Sequence, residues 1–341
     1  MKVCAATIAY NNSKELTRLL SSLANQGAAL TGLIVIDNSD DFCIAANRKA
    51  FDTHATRYSF SCYRKTKRNT GSAGGFRSGM KIAHENDFDY VWLLDQDGIA
   101  SDLCLTELLK RASDADILCP KTVDIENPSV VFARTTSKKN FFGHLAPFRS
   151  NADTQLVDTF ATHGAFISKK VIGSIGYYDA CNFHVGFEDY DYAWRARRAK
   201  FTILHVNTAQ VQHPDLKRKK AIREIQLGGR PRREINPVAI DRLRPEFLGY
   251  VTEPSRSERG CDNGRALLPF SWLYFLTKSL QRWQFSIAFV YSLCLLFIKS
   301  ASEKDICLKE TLNAYVKCLA SNAKKEWPYA CVEEFYRCIL D

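Results

Sequence analysis

Two carboxylates, Asp95 and Asp97, directly follow an apolar run in YVWLLDQDGIA, residues 90–100. A buried strand avoids charge at its end unless the charge has a partner there. Ligands of open α/β sheets bind at the carboxyl ends of strands, and paired oxygen donors suit Mg²⁺ or Mn²⁺. Other Asp-x-Asp pairs occur, but only this one follows a long apolar run and precedes a glycine. It predicts a metal site that holds a diphosphate, with a solvated turn as the alternative.

A histidine near residue 213 is the second candidate for this chemistry. His213 lies in VQHPD, 211–215, after a short predicted strand and before a proline. An imidazole there would complete an oxygen-rich Mn²⁺ site with Asp97. A structural histidine is the alternative interpretation.

Three acidic residues cluster at the start of a predicted helix in FEDYDYAW, 187–194: Glu188, Asp189 and Asp191. The positive end of a helix dipole stabilises anions by up to about 1 kcal/mol. A carboxylate held ionised in this way suits a general base. Helix capping alone would also explain the cluster.

Two further stretches carry polar or glycine residues at positions suited to ligand binding. In RNTGSAGGFRSG, 68–79, glycines precede and enter a helix, so backbone N–H groups can approach an anion closely. The stretch lacks the Gly-Lys-Ser/Thr of a P-loop. In VIDNSD, 35–40, Asp37 ends a strand and could accept hydrogen bonds from a base or ribose, or could simply form a turn.

The elements that must position these residues alternate between strands and helices. Apolar runs predict strands at 2–10, 32–40, 58–64, 90–94 and 116–123, and helical spacing predicts helices at 13–26, 72–86 and 101–113, with Ser13 capping the first helix. A strand and helix in 157–172, a helix at 187–201 and a strand at 202–206 follow. Apolar, non-alternating strands predict a mostly parallel α/β sheet covered by helices on both faces.

Composition limits the class of protein. The 341 residues are 46% hydrophobic and 25% charged, which permits a packed core, and the net charge of +10 favours anionic partners. The 12 cysteines include no CxxC pair, and the chain is polar by residue 11. We therefore expect reduced thiols in a cytoplasmic protein without a signal peptide.

The C-terminal third differs from the rest of the chain. The sequence predicts a basic linker, or a flap over an anionic donor, at residues 215–264. It predicts a helical extension at residues 265–341. The apolar run 285–298 has 14 residues, whereas a spanning helix needs about 20. A buried core helix and a helix lying on the membrane surface both remain open.

The order of these motifs resembles that of the family-2 inverting glycosyltransferases with the GT-A fold. The motifs are TIAYNN, the strand-end Asp37, NTGSAGGFRSG, LLDQDG, THGAFISKKVIGSIGYYD, FEDYDYAWRARRAKF and QHP, and they cover about residues 1–215. The resemblance implies a Rossmann-like GT-A catalytic domain over 1–214 that binds nucleotide sugar and acceptor.

The resemblance also implies roles for individual residues and a Mn²⁺ or Mg²⁺ cofactor. The implied general base is Asp189, six residues before Arg195, and Glu188 and Asp191 would assist it or bind acceptor hydroxyls. The implied donor contacts are Thr7, Tyr10, Asp37, Asn69, Gly75 and Asp95. The implied metal ligands are Asp97 and His213, and the implied acceptor contacts are His163 and Gly164.

The implied reaction is transfer of a sugar, with inversion, to a hydroxyl of a growing bacterial surface glycan such as O-antigen, capsule or cell wall. LLDQD resembles rhamnosyltransferases that use dTDP-rhamnose, whereas NTGSAGGFRSG and EDYDYAWRA…QHP resemble galactofuranosyltransferases that use UDP-galactofuranose. Gln96 departs from the all-Asp form of the latter. The acceptor would be a glycan or glycolipid, with peripheral contact to an anionic membrane at the inner face of the cell membrane.

Two other classes compete with this interpretation. A basic nucleic-acid-binding protein would fit the charge, but no recognisable nucleic-acid module appears, so we expect no nucleic-acid partner. A sugar nucleotidyltransferase would need a Gly-rich loop with a basic residue after the first strand, and TIAYNN lacks it.

Overall fold

The computed structural model describes residues 1–131, 136–139, 145–147, 152–181, 183 and 185–214. The strands are β1 (Val3–Ala9), β2 (Leu30–Asp37), β3 (Phe60–Lys65), β4 (Tyr90–Asp95), β5 (Ile99–Ala100), β6 (Ile117–Asp124), β7 (Thr136–Lys139), β8 (Leu145–Pro147), β9 (Thr154–Leu156), β10 (Ala165–Ser168) and β11 (Ile203–His213). The helices are α1 (Ser13–Leu23), α2 (Asp41–Ala55), α3 (Gly71–Glu85), α4 (Cys104–Lys110), α5 (Lys169–Ile175) and α6 (Glu188–Arg198). The basic segment 215–264, the helical extension and the apolar run 285–298 lie outside these residues.

Nine of the described strands form one sheet in the order β3-β2-β1-β4-β10-β6-β11-β5, with β9 paired to β11. Strands β1 to β4 are parallel to one another, and β6 is parallel to β11. Strand β10 lies antiparallel between β4 and β6, and β7 pairs with β8 separately. The predicted α/β, mostly parallel sheet is confirmed.

Helices cover both faces of the sheet, as predicted. Apolar side chains of α1, α2 and α4 pack on one face, around Trp92 and Phe166. Those of α3, α5 and α6 pack on the other, around Leu93 and Ile167. Successive side chains of one strand therefore pack into the cores on opposite faces of the sheet. Because both sets are apolar, the strands appear in the sequence as continuous apolar runs. In the described part of the chain, no helix is long and apolar enough to cross a membrane.

Three local expectations differ from the structure. The cap of α1 is Asn12, whose side chain accepts a hydrogen bond from the Glu15 backbone N–H at 3.2 Å, so the predicted Ser13 cap is wrong. Helix α2 was not predicted, because polar residues such as Asn47 and His54 occupy its buried face and weaken the apolar periodicity. Strand β11 continues to His213, since a shift in pairing between Val206 and Gln210 interrupts the pattern.

The strand order reverses at β1, which has β2 on one side and β4 on the other. At such a switch point the connections leave in opposite directions and open a crevice outside the carboxyl ends of the two strands. The crevice therefore lies beside Asp95 and the turn after Ala9.

Candidate active site

Four polar side chains from distant parts of the chain meet at the carboxyl end of β4: Asp95, Asp97, His163 and His213. The His163 Nδ1 lies 3.0 Å from Asp95 Oδ2, and the His213 Nε2 lies 3.0 Å from Asp97 Oδ1. Ligand atoms of Asp95, His163 and His213 all lie within 4.8 Å of one another. The two imidazole rings meet edge to face, with centroids 4.0 Å apart. The oxygen and nitrogen atoms of Asp95, His163 and His213 at these separations could hold a divalent cation, with Asp97 beside His213.

The orientation of His213 suits metal binding. Its Nδ1 lies 2.9 Å from the backbone carbonyl oxygen of Pro214, and because a carbonyl can only accept, Nδ1 is the donor. Nε2 is thereby directed at Asp97, in the arrangement that metal-ligating histidines commonly use. The chain thus supplies a preoriented nitrogen beside two carboxylates.

The charge of Asp95 is stabilised by its imidazole neighbours. Burial acts to raise the pKa of Asp95, but His163 and, more weakly, His213 outweigh it, so the pKa lies below the usual range. Asp95 is therefore held as a carboxylate, the form that ligates a metal.

The backbone around Gly164 fixes His163 over β4. The Gly164 N–H donates to the Leu93 carbonyl at 2.8 Å, and the Trp92 indole N–H donates to the Gly164 carbonyl at 3.0 Å. Gly164 has φ +89°, and an added Cβ would lie 2.6 Å from Pro120 Cγ. Only glycine fits this conformation and this space.

We expect Gly164→Ala to lower the free energy of unfolding by about 2–5 kcal/mol, from left-handed strain and overpacking together. Gly27→Ala is the matched control, because Gly27 has φ +80° but nothing within 4 Å of an added Cβ. Urea unfolding of both variants measures the difference. Equal losses for the two would show that the space beside Pro120 is not restrictive.

Gln96 joins the ends of the two strands that flank the crevice. Its Nε2 donates to the Tyr10 carbonyl, and its Oε1 accepts from the Tyr10 N–H, both at 2.8 Å. An aspartate or a glutamate could not donate the first of these bonds. The pairing gives a physical reason for glutamine between Asp95 and Asp97.

The start of α6 carries two adjacent carboxyl groups, and Glu188 lies close enough to Asp95 for their charges to interact. Residues Gly186 and Phe187 before it both have positive φ, +80° and +69°. Glu188 is buried and accepts a hydrogen bond from the Ser72 hydroxyl of α3. Burial, then the charges of Asp189 and, more weakly, Asp95, raise the pKa of Glu188 to about 8. Glu188 therefore carries a proton at neutral pH, whereas Asp189 is half-buried, with Oδ1 accepting the Tyr190 N–H at 2.8 Å.

A hydroxyl pair connects the loop before β10 to the segment that leads into α6. Thr162 Oγ1 and Tyr178 Oη lie 3.1 Å apart, and Tyr178 is fully buried. Thr162 precedes His163 in the chain, so this contact supports the backbone on the other side of His163 from Gly164.

Asp191 lies in a different environment from Glu188 and Asp189. Its side chain is fully buried, and Arg195 Nε donates to its Oδ2 at 2.9 Å. Arg195 also donates to the carbonyls of Ile175 and Tyr177. This ion pair holds α6 against the end of α5, which favours a positioning role for Asp191.

We expect Asp191→Asn to lower the free energy of unfolding by about 2–3 kcal/mol, because a partly buried guanidinium loses its charged partner. Asp52→Asn is the control: Asp52 pairs with Arg48 at the same spacing on an exposed face, where loss costs about 0.5 kcal/mol. Denaturant unfolding measures both. A large loss of kcat without a loss of stability would assign Asp191 to the chemistry instead.

The residues expected on the donor side occupy several environments. Asp37 is fully buried and accepts hydrogen bonds from the Ser39 N–H, the Asn47 amide and the Tyr63 hydroxyl. Thr7 is buried in β1, whereas Tyr10 is 38% exposed at the crevice.

The remaining donor-side expectations concern the Gly-rich stretch. The side chain of Asn69 accepts the N–H of Gly71, the first residue of α3, at 2.8 Å. An added Cβ at Gly75 would lie 2.6 Å from Ile8, so this glycine allows α3 to pack closely on β1. Donor contact by these residues, Thr7, Tyr10 and Asp37 stays a prediction.

Two features of the site were missed by sequence reasoning. The contact of the His163 ring with Asp95 was not anticipated, and acceptor contact by His163 and Gly164 stays a prediction. Ser72 was not singled out, although it contacts Glu188. No local pattern links Ser72 to Glu188 or His163 to Asp95, because these contacts depend on how α6 and β10 are placed on the sheet.

Several known proteins resemble this chain in sequence. Residues 4–176 match the family model described as Glycosyl transferase family 2. Galactofuranosyltransferase GlfT1 of Mycobacterium tuberculosis is 28% identical over 191 residues, which are 54% of this chain and 62% of that protein. Its counterpart from Mycolicibacterium smegmatis is 27% identical over 129 residues, 37% and 41% of the two chains. The matched regions thus span less than two thirds of these relatives.

One solved structure shares the fold. The crystal structure of GalNAc-T7 with UDP, GalNAc and Mn²⁺ superposes with a TM-score of 0.52 at 14% identity, covering 63% of this chain and 44% of that one. This likeness establishes a GT-A-like fold for the region it covers.

Proposed function

This chain belongs to glycosyl transferase family 2, and from that premise we propose that it is a metal-dependent inverting transferase acting on a bacterial surface glycan. UDP-galactofuranose is the first candidate donor, supported by the galactofuranosyltransferase relatives, and dTDP-rhamnose is the second, supported by LLDQD. The observation that carries the proposal is the convergence of Asp95, Asp97 and His213 beside the Glu188–Asp189 pair.

The donor would bind in the crevice between the ends of β1 and β4. Tyr10 and the turn after β1 would contact the nucleoside. A divalent cation held by Asp95, Asp97 and His213 would supply positive charge to the departing diphosphate. The start of α3 adds the positive end of a helix dipole at the same side of the sheet.

The acceptor hydroxyl would bind beside the start of α6. Asp189 takes the hydroxyl proton as the oxygen attacks the anomeric carbon. The new carbon–oxygen bond forms while the bond to the diphosphate breaks, and the diphosphate leaves with that electron pair. The attack comes from the face opposite the leaving group, so the configuration at the anomeric carbon inverts.

The acceptor class and the cellular place complete the proposal. The acceptor is a glycan or glycolipid, residues 1–214 form the catalytic domain, and the net charge of +10 favours contact with an anionic membrane surface at the cytoplasmic side. Residues 215–264 would be the basic linker or flap, and residues 265–341 a helical extension that either packs as a core helix or lies at that surface.

A thermal-shift panel followed by product analysis tests this function. The full chain is mixed with UDP, dTDP, GDP and their sugars, each with and without Mn²⁺. We expect stabilisation by one nucleotide series that increases with Mn²⁺, and then release of the nucleoside diphosphate with an inverted glycosidic product. Release of free pyrophosphate would indicate a nucleotidyltransferase, and DNA binding stronger than nucleotide binding would reject the enzyme class.

A further inference from the structure

The histidine predicted at the acceptor side, His163, lies among the candidate metal ligands. His163 Nδ1 is 3.0 Å from Asp95, and its ring meets the His213 ring edge to face at 4.0 Å between centroids. A ligand atom of His163 is within 4.8 Å of those offered by Asp95 and His213.

The fold holds His163 in this position from both sides. Gly164 is bonded to β4 through Leu93 and Trp92, and β10 then pairs antiparallel with β4 from Ala165 onward. On the other side, Thr162 is bonded to Tyr178. The His163 side chain is only 10% exposed. Holding the ring beside Asp95 and His213 in this way provides the preorganisation that metal sites require.

Two of the separations fit neighbouring ligands of one ion. Two ligand atoms 3.0 Å apart subtend an angle of about 90° at a metal about 2.1 Å from each. That is the angle between neighbouring ligands of an octahedral site. The pairs His163–Asp95 and His213–Asp97 each have this separation.

We infer that His163 is a ligand of the divalent cation, so that Asp95, Asp97, His163 and His213 form one two-carboxylate, two-imidazole site. This rests on the proposed function, which places a cation here. A second nitrogen ligand favours Mn²⁺, Co²⁺ or Zn²⁺ over Mg²⁺, which prefers oxygen donors. The site would therefore discriminate among metals more strongly than one with a single imidazole.

Metal titration of the full chain tests the inference without any transfer assay. Co²⁺ and Mn²⁺ binding are followed by the visible absorption of Co²⁺, by Mn²⁺ electron paramagnetic resonance and by calorimetry, with Mg²⁺ in parallel and UDP present in a second series. His163→Asn replaces a nitrogen donor by an oxygen donor of similar reach. We expect Co²⁺ and Mn²⁺ affinity to fall about tenfold or more, Mg²⁺ affinity to fall less than about threefold, and the Co²⁺ spectrum to shift.

His205→Asn is the matched control, since the His205 Nε2 lies 3.0 Å from Asn207 on β11 and belongs to no ligand set among the described residues. Thermal unfolding checks that each variant is folded. Unchanged Co²⁺ affinity, or a weaker affinity with an unchanged Co²⁺ spectrum, would overturn the ligand role of His163 alone. A wild-type chain that binds no Co²⁺ or Mn²⁺, with or without UDP, would overturn both this inference and the metal-dependent part of the proposed function.

Discussion

Asp189→Asn is expected to reduce transfer by about 10²–10⁴-fold, the range that loss of a general base produces, while donor binding stays within about twofold. The amide keeps the size of the side chain and can still accept the Tyr190 N–H, which lies 2.8 Å from Asp189 Oδ1. It cannot take a proton from the acceptor hydroxyl. The loss should therefore appear in kcat and not in the affinity for the nucleotide.

Glu188, which precedes Asp189, is the other carboxyl group that could act as the base. The pKa of Glu188 is raised to about 8, with burial as the main cause, so this side chain is protonated at neutral pH and a poor base there. Below about pH 8 its neutral form resembles a glutamine, which can keep the contact with Ser72. We therefore expect Glu188→Gln to lose less transfer at pH 7 than Asp189→Asn does.

Kinetics under saturating donor, with nucleotide affinity measured by calorimetry, separates the two carboxylates. Asp87→Asn makes the same chemical change at the opposite end of the strands. Asp87 precedes the amino end of β4 and pairs with Lys169. The variant should leave both kcat and affinity unchanged. Near-normal turnover by Asp189→Asn would reject the assignment of the base.

The fold was predictable because its strands are buried on both faces. Runs such as those of β1 and β4 need apolar side chains on each side, so a local pattern is enough to place them. Helix α2 has no such pattern, since Asn47 bonds to Asp37 and Ser39 within the core. The helix is stabilised by a buried polar network that a periodicity count does not detect.

The site was predictable as far as it follows from strand ends. Asp95, Asp97 and His213 come at or just after the carboxyl ends of β4 and β11, so their convergence follows from sheet topology. His163 lies before an inserted antiparallel strand, and the direction of its ring depends on the positive φ of Gly164. The sequence shows that a glycine follows His163, but it does not show that this glycine has a positive φ.

Removal of the divalent cation is expected to abolish transfer, with a loss of about 10³-fold or more, because a metal contributes several kcal/mol to charge stabilisation in such reactions. Asp97→Asn should act similarly, since it removes one negative ligand and leaves His213 without its 3.0 Å partner charge. The same changes should weaken binding of UDP but not of uridine. Without a cation, Asp95 and Asp97 repel the diphosphate, whereas the nucleoside carries no charge to repel.

The measurement compares wild type and Asp97→Asn in EDTA and in Mn²⁺, with UDP and uridine affinities taken by calorimetry and ligand-observed nuclear magnetic resonance. Asp87→Asn again supplies the control for a surface charge change. Restoration of wild-type transfer by Mn²⁺ after EDTA excludes irreversible unfolding. Equal transfer rates in EDTA and in Mn²⁺ would reject metal dependence, yet the outcome for Asp189 would stand, because proton removal from the acceptor does not require the cation.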